Sequence, residues 1–153
     1  VARGGRNLPP MTVPTILPMS DDVRALFEAA TTAMSRAYAP YSNFPVGAAI
    51  RSSSGAIYAG CNVENAAYPQ GWCGETSAIA AMVSAGERVI AEVLVVSMAE
   101  GIATCCGGCR QKLREFAALD TLIHVCGPEG VKAIFTLDEL LPLSFGPEQL
   151  AGH

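Results

Sequence analysis

Charge is scarce in this chain and clustered positive charge is absent. Of 153 residues, 16% are charged, and ten Lys and Arg against fourteen Asp and Glu leave a formal net charge of −4. Nucleic-acid recognition needs Lys and Arg gathered against phosphates, so a polynucleotide is disfavoured as the main substrate and a small neutral ligand fits better. No apolar run approaches the roughly 20 residues of a membrane span. The N-terminal stretch has no continuous apolar core followed by a small-residue cleavage site, so no secretory signal is read there. No internal repeat is present. These absences predict a soluble, cytoplasmic protein with no membrane partner.

Hydrophobic residues, in contrast, make up half of the chain. That is high for one soluble domain of this length and predicts extra surface buried between subunits. The six cysteines allow three disulfides or a metal site, and without a secretory signal the metal reading is preferred. Residues 1–19 hold Pro9, Pro10, Pro14 and Pro18 and follow no period. They read as a disordered or strapped-down arm, within which Met11 and Met19 are both candidate natural starts. Residues 20–153 are then the single folded domain.

Ser20 followed by Asp21 and Asp22 reads as a helix N-cap with acidic residues in the first turn. Helical spacing of Val23, Leu26, Phe27, Ala30, Met34 and Ala37 predicts an amphipathic helix over Asp21 to Tyr38, stopped by Pro40. Val46 to Ser52 and Ala56 to Cys61 predict paired strands around a Ser53–Gly55 turn, and 62–71 a loop. Gly74 to Ala85 is rich in Ala, Ile and Met without strict amphipathicity, as expected of a helix buried between layers. Val89 to Met98 predicts a central strand covered on both faces. A helix over Gly107 to Ala117, with Leu113 and Phe116 inward, follows. Strands at Thr121 to Cys126 and Ala133 to Leu137, a helical turn at Leu137 to Leu141 and an exposed tail from Phe145 complete the chain. The expected fold is a three-layer α/β/α sandwich on a mixed sheet of about five strands.

Two stretches carry chemistry: Trp72-Cys73-Gly74-Glu75-Thr76 and Cys105-Cys106-Gly107-Gly108-Cys109-Arg110-Gln111. Each places cysteine at a helix entry, where the dipole favours thiolate. Cys73, Cys106 and Cys109 converging from two helix starts make a tetrahedral zinc site with one position free, the mark of a catalytic rather than a structural zinc. Glu75 is a carboxylate beside the metal and not needed as a ligand. Taken singly, the Cys-x-x-Cys pair also reads as a structural zinc site or a redox dithiol, and Glu75 as a helix N-terminal carboxylate.

The arrangement resembles the zinc-dependent nucleoside deaminases, in which a His or Cys, x-Glu and Cys-x-x-Cys share one site. With Tyr41-Ser42-Asn43-Phe44-Pro45-Val46-Gly47-Ala48 and Asn62-Val63-Glu64-Asn65, the sequence is similar to the cytidine deaminase family of the small homotetrameric type over roughly Asp21 to Gly146. The resemblance implies one zinc per chain and hydrolytic deamination of cytidine and 2′-deoxycytidine in pyrimidine salvage. Glu75 would move protons from water to the pyrimidine and its leaving amino group. It implies that Phe44 packs on the pyrimidine, Asn62 and Glu64 bind the ribose hydroxyls, and the Gly74 N–H meets the base. Without the resemblance, Phe44 reads as core and Asn62 as a turn residue. Tyr68 and Phe145 match positions that complete a neighbouring subunit's site in a homotetramer. Other aminopyrimidine nucleosides of the blasticidin S type, or a non-catalytic zinc-holding relative, are the alternatives.

Two positions depart from the family pattern. Thr76 stands where Cys-ligated members usually carry an Arg that hydrogen-bonds ligand sulfurs, and Cys105 stands where Pro usually precedes the Cys-x-x-Cys. Three thiolates leave zinc with a net charge of about −1, which weakens its acidifying power. Arg110, with Gln111, is the expected replacement donor. Cys105 is read as a bystander, and Cys61 and Cys126 as buried apolar cysteines.

Overall fold

The computed structural model describes residues 14–151. Their order is α1 (Asp21–Met34), β1 (Val46–Ser52), β2 (Ile57–Cys61), a 3-10 turn (Tyr68–Gln70), α2 (Gly74–Ser84), β3 (Ile90–Ser97), α3 (Gly107–Phe116), β4 (Ala117–Gly127), β5 (Gly130–Thr136), α4 (Leu137–Leu140) and a last 3-10 turn (Pro147–Gln149). The five strands form one sheet in the order β2-β1-β3-β4-β5. Only β3 and β4 run parallel, with α3 as their crossover, so the sheet is mixed.

Strand alternation assigns the two faces of the sheet. Ala48, Ile50, Val93, Val95 and Ile123 point to one side and pack with Ala78, Met82, Leu113 and Leu137 of α2, α3 and α4. Ala49, Leu94, Val96 and Cys126 point to the other side and pack with Leu26 and Ala30 of α1. This is the expected three-layer sandwich, with β3 covered on both faces. α2 lies close on β2 because Gly60 has no side chain: a Cβ there would sit 2.5 Å from Ser77 Cβ and 2.6 Å from the Ala78 nitrogen. That close approach sets where the N-terminus of α2, with Cys73 and Glu75, emerges.

Several boundaries differ from expectation, each for a visible reason. α1 stops at Met34 rather than Tyr38. Tyr38 is instead drawn into a small ladder, donating to Asn62 O at 3.1 Å and accepting from Glu64 N at 2.8 Å. The 62–71 loop is ordered by that ladder and by reciprocal 2.9 Å bonds between Val63 and Trp72. β4 starts directly after α3 rather than at Thr121, through Ala118, Leu119 and Asp120, all of which are exposed. The tail is largely exposed as expected, but it is pinned to α3, where the Arg114 guanidinium binds Ser144 Oγ and pairs with Glu148. Cys126 is buried as expected, while Cys61 and Phe116 are only half-buried. Of the N-terminal arm, residues 1–13 lie outside the described residues. Within 14–19, Leu17 straps onto β5 through a 2.8 Å bond to Val131 O.

Candidate active site

Cys73 and Cys106 are the N-cap residues of α2 and α3, both in extended backbone conformation, and neither helix has a side-chain cap bond. The first N–H groups of both helices are thus left without a side-chain cap, beside the two cysteines. Cys109 follows one turn into α3 and is fully buried. The three Sγ atoms lie within 4.8 Å of one another, and those of Cys73 and Cys106 are 3.7 Å apart. Sulfurs held at about 2.3 Å by a tetrahedral zinc sit roughly 3.8 Å from each other. The donor set fits one zinc ion, with Cys109 sealing the rear and Cys73 and Cys106 facing a cavity.

The sulfurs divide charge unevenly. A hydrogen bond from Cys109, more than burial can oppose, brings the Cys73 thiol down to about 6. As donor in that bond, and then through burial and the nearby Glu75 carboxylate, Cys109 is pushed far up. Zinc capture therefore displaces protons, chiefly from Cys109. Because protons compete for the same sulfurs, affinity should fall as pH drops and fall most steeply below about 6, where Cys73 also protonates. Competition against a chelating dye across pH 5 to 8 reads this out; a flat affinity would contradict it.

Glu75, in the first turn of α2, is 3% exposed and lines the same cavity of about 400 Å³. Behind it lies Cys105, whose buried thiol is pushed well above its ordinary range, first by burial and then by the charge and hydrogen bond of Glu75. Cys105 is thus outside the metal cluster but in contact with the carboxylate. The Thr76 hydroxyl lies 3.7 Å from Cys109 Sγ, so a donor to a ligand sulfur is present at the position where Arg was missing. Arg110 does not take that role. Its Nε donates to Cys105 O at 2.8 Å, Nη1 to Leu140 O at 2.7 Å and Nη2 to Thr104 Oγ1 at 2.7 Å. Gln111 likewise turns away, donating to Phe145 O at 2.9 Å. Thr76→Val should then weaken zinc retention about tenfold, the low end for losing a partner of a metal ligand. Thr76→Ser should retain it; equal retention in all three proteins would remove Thr76 from this role.

Phe44, Asn62, Glu64, Tyr68, Gly74 and Glu75 line one cavity with Cys73 and Cys106. Asn43, in the left-handed region at φ 53°, turns the chain so that Phe44 is presented half-exposed. Asn62 is engaged by this turn: Oδ1 accepts from Val46 N at 2.8 Å and Nδ2 donates to Phe44 O at 3.0 Å. One oxygen of Glu64 accepts from the Tyr41 and Ser42 N–H groups at 2.9 and 3.1 Å. With the Ser42 hydroxyl as the largest cause, these bonds hold its carboxyl below the usual range, so it is ionised and fixed. A Cβ at Gly74 would meet Ala48 N, Gly60 O and Val46 O at 3.4 Å, so the backbone there is closely packed. Phe145 does not join the cavity; it lines a separate hollow against α3 with Gln111 and Glu115. The cavity also contains Val95, Ser97, Ala103 and Thr104, which carried no motif. Their position at and after the C-terminal end of β3, where α/β sheets bind ligands, was the available signal.

A three-layer sandwich with three cysteine sulfurs and a buried glutamate brought together at two helix N-termini defines a zinc-dependent deaminase fold and site. The family described as cytidine and deoxycytidylate deaminase zinc-binding region matches residues 20–125, and the chain belongs to it. It is 39% identical over 130 residues to a cytidine deaminase of Sporosarcina psychrophila, covering 85% of this chain and 96% of that protein. The crystal structure of cytidine deaminase from Burkholderia pseudomallei superposes with a TM-score of 0.77 at 38% identity, over 83% of this chain and all of that one. That of cytidine deaminase from Mycobacterium tuberculosis gives 0.71 at 35%, over 83% and 99%.

Proposed function

We propose that this protein catalyses hydrolytic deamination of cytidine and 2′-deoxycytidine to uridine and 2′-deoxyuridine with release of ammonia, in the cytoplasm as a step of pyrimidine salvage. The observation that carries the reading is Glu75, buried beside the three sulfurs in a cavity of about 400 Å³, within the size range of small-ligand sites. Zinc held by Cys73, Cys106 and Cys109 supplies Lewis-acid activation of water at neutral pH. Phe44 gives the base a flat apolar face. The free Glu64 oxygen accepts from a ribose hydroxyl, while Asn62 acts mainly by fixing the Phe44 turn. The Gly74 N–H, at the start of α2, meets the base. The Glu75 carboxylate takes the proton of the attacking water and hands it to N3. The same carboxylate then moves the proton of the hydroxyl added at C4 to the exocyclic nitrogen, so that the C4 carbonyl forms as the C–N bond breaks and ammonia leaves.

The charge of the lining selects among substrates. Glu64 and Glu75 are the acidic residues of the lining, and no Lys or Arg lines it. A phosphate on the sugar would be left unpaired beside Glu64. Purified protein should therefore turn over cytidine and deoxycytidine, with kcat/KM for their monophosphates lower by more than about a hundredfold, since an unpaired like-charge contact costs several kcal/mol. Preferential turnover of the monophosphates would contradict this reading.

A homotetramer is part of the proposal. Tyr68 at 74%, Phe145 at 58% and Leu143 at 103% exposure leave large apolar groups in solvent, in a chain whose hydrophobic content predicted buried subunit contacts. Tyr68 and Phe145 are then the residues that complete neighbouring sites.

A further inference from the structure

Lys132 is the most deeply buried cation among the described residues, its side chain 2% exposed. It lies on β5, a strand whose pairing with β4 slips by one residue: Val125 faces Ala133, but Cys126 faces Val131. Lys132 is the extra residue of that bulge and has no cross-strand partner. A bulge re-aims the side chain it carries, and here it sends the lysine over the end of β4. Gly127 lies in its path. A Cβ on Gly127 would fall 2.5 Å from both Cε and Nζ of Lys132, so the absent side chain leaves room for the ammonium.

The ammonium spends its donors on the segment after β3. Nζ donates to Ala99 O at 2.7 Å and to Glu100 O at 3.3 Å, and pairs with Glu129 at 2.9 Å. Residues 98–106 link β3 to the ligand Cys106, and Ala103, Thr104 and Cys106 within them form one wall of the cavity. The far end of the same segment is held by Arg110 at Thr104 and Cys105. Two cations from different elements thus grip backbone at both ends of a segment without regular secondary structure.

We propose that Lys132 is a positioning residue of the active site. It fixes the start of the 98–106 segment and thereby the Ala103–Thr104 wall against which the nucleoside is held. Bulge, glycine and buried ammonium together cost burial of a charge, and a buried charge is tolerated only where its hydrogen bonds are made. All of its bonds hold this segment and the adjoining turn, none the core. The expected signature is weaker binding of substrate with the chemistry retained. This part rests on the nucleoside deaminase reading.

The test compares the zinc-loaded full-length enzyme with Lys132→Met, Lys132→Arg and Gly127→Ala, using amide hydrogen exchange and steady-state kinetics on cytidine. In Lys132→Met, exchange over 98–105 should quicken about tenfold, as expected when charged hydrogen bonds holding a segment are lost. KM should rise about fivefold to tenfold with kcat within about threefold, the pattern of lost binding rather than lost transition-state stabilisation. Gly127→Ala, whose methyl displaces the ammonium, should reproduce both changes, and it decides the matter if Lys132→Met does not fold. Lys132→Arg should stay closer to the parent. Unchanged exchange over 98–105, or exchange quickened equally across β3 and β4, would overturn the proposal. Exchange does not depend on the reaction, so a parent enzyme inert to cytidine would sink the functional reading and leave positioning to be judged on exchange alone.

Discussion

Glu75→Gln is expected to lower kcat on cytidine by about three orders of magnitude, within the range for removing a general acid–base group, while zinc content and melting temperature stay near those of the parent. The substitution is nearly isosteric, and Glu75 is only 3% exposed, so shape is preserved and proton transfer is lost. The carboxylate is in the lining beside Cys73 and Cys106 but is not one of the three clustered ligands, which is why metal retention and turnover separate. Metal analysis and cytidine turnover on the same preparation read both quantities. Activity within about tenfold of the parent would mean that another group carries the proton.

Cys109→Ala should have the second large effect: loss of bound zinc, loss of activity and a marked fall in stability. Cys109 is fully buried in the core that joins α2, α3 and the sheet, and its sulfur contacts both Thr76 and Cys73. Zinc binds the folded state, so a site saturated about a thousandfold above its dissociation constant adds about 4 kcal/mol, and truncating the core side chain costs more on top. A chelator should lower the melting temperature of the parent and leave that of Cys109→Ala unmoved. Cys105→Ala is the informative contrast, because Cys105 is adjacent in sequence but points at Glu75 rather than into the cluster. It should keep its zinc. Zinc lost from Cys105→Ala and kept by Cys106→Ala would reverse the assignment of the ligands.

The sequence reading was strongest where a residue type and a spacing jointly serve one purpose. Cys73, Glu75, Cys106 and Cys109 sit at or within one turn of two helix starts, and short-range geometry carries most of their placement. The alternating and buried strand patterns likewise located β1 and β3 to within a residue. What escaped was set by tertiary partners. Tyr38 leaves α1 because a loop more than twenty residues away offers it a ladder. Arg110 was expected at the sulfurs because it adjoins Cys109, yet α3 turns it toward the Thr104–Cys105 backbone. Thr76, three residues after Cys73, reaches Cys109 on the other helix instead. The start of β5 was missed because Lys132, buried beside Val131, is a cation that interrupts the hydrophobic pattern there.

The central claim is that Glu75 and three cysteine sulfurs holding zinc add water to cytidine and expel ammonia. Turnover of cytidine in isotopically labelled water tests it most directly, with mass analysis of the nucleoside product. The account predicts uridine that carries one labelled oxygen on C4, formed together with one ammonia per cytidine consumed. Cytidine left unchanged by fully zinc-loaded protein, or uridine formed without the label, would contradict it.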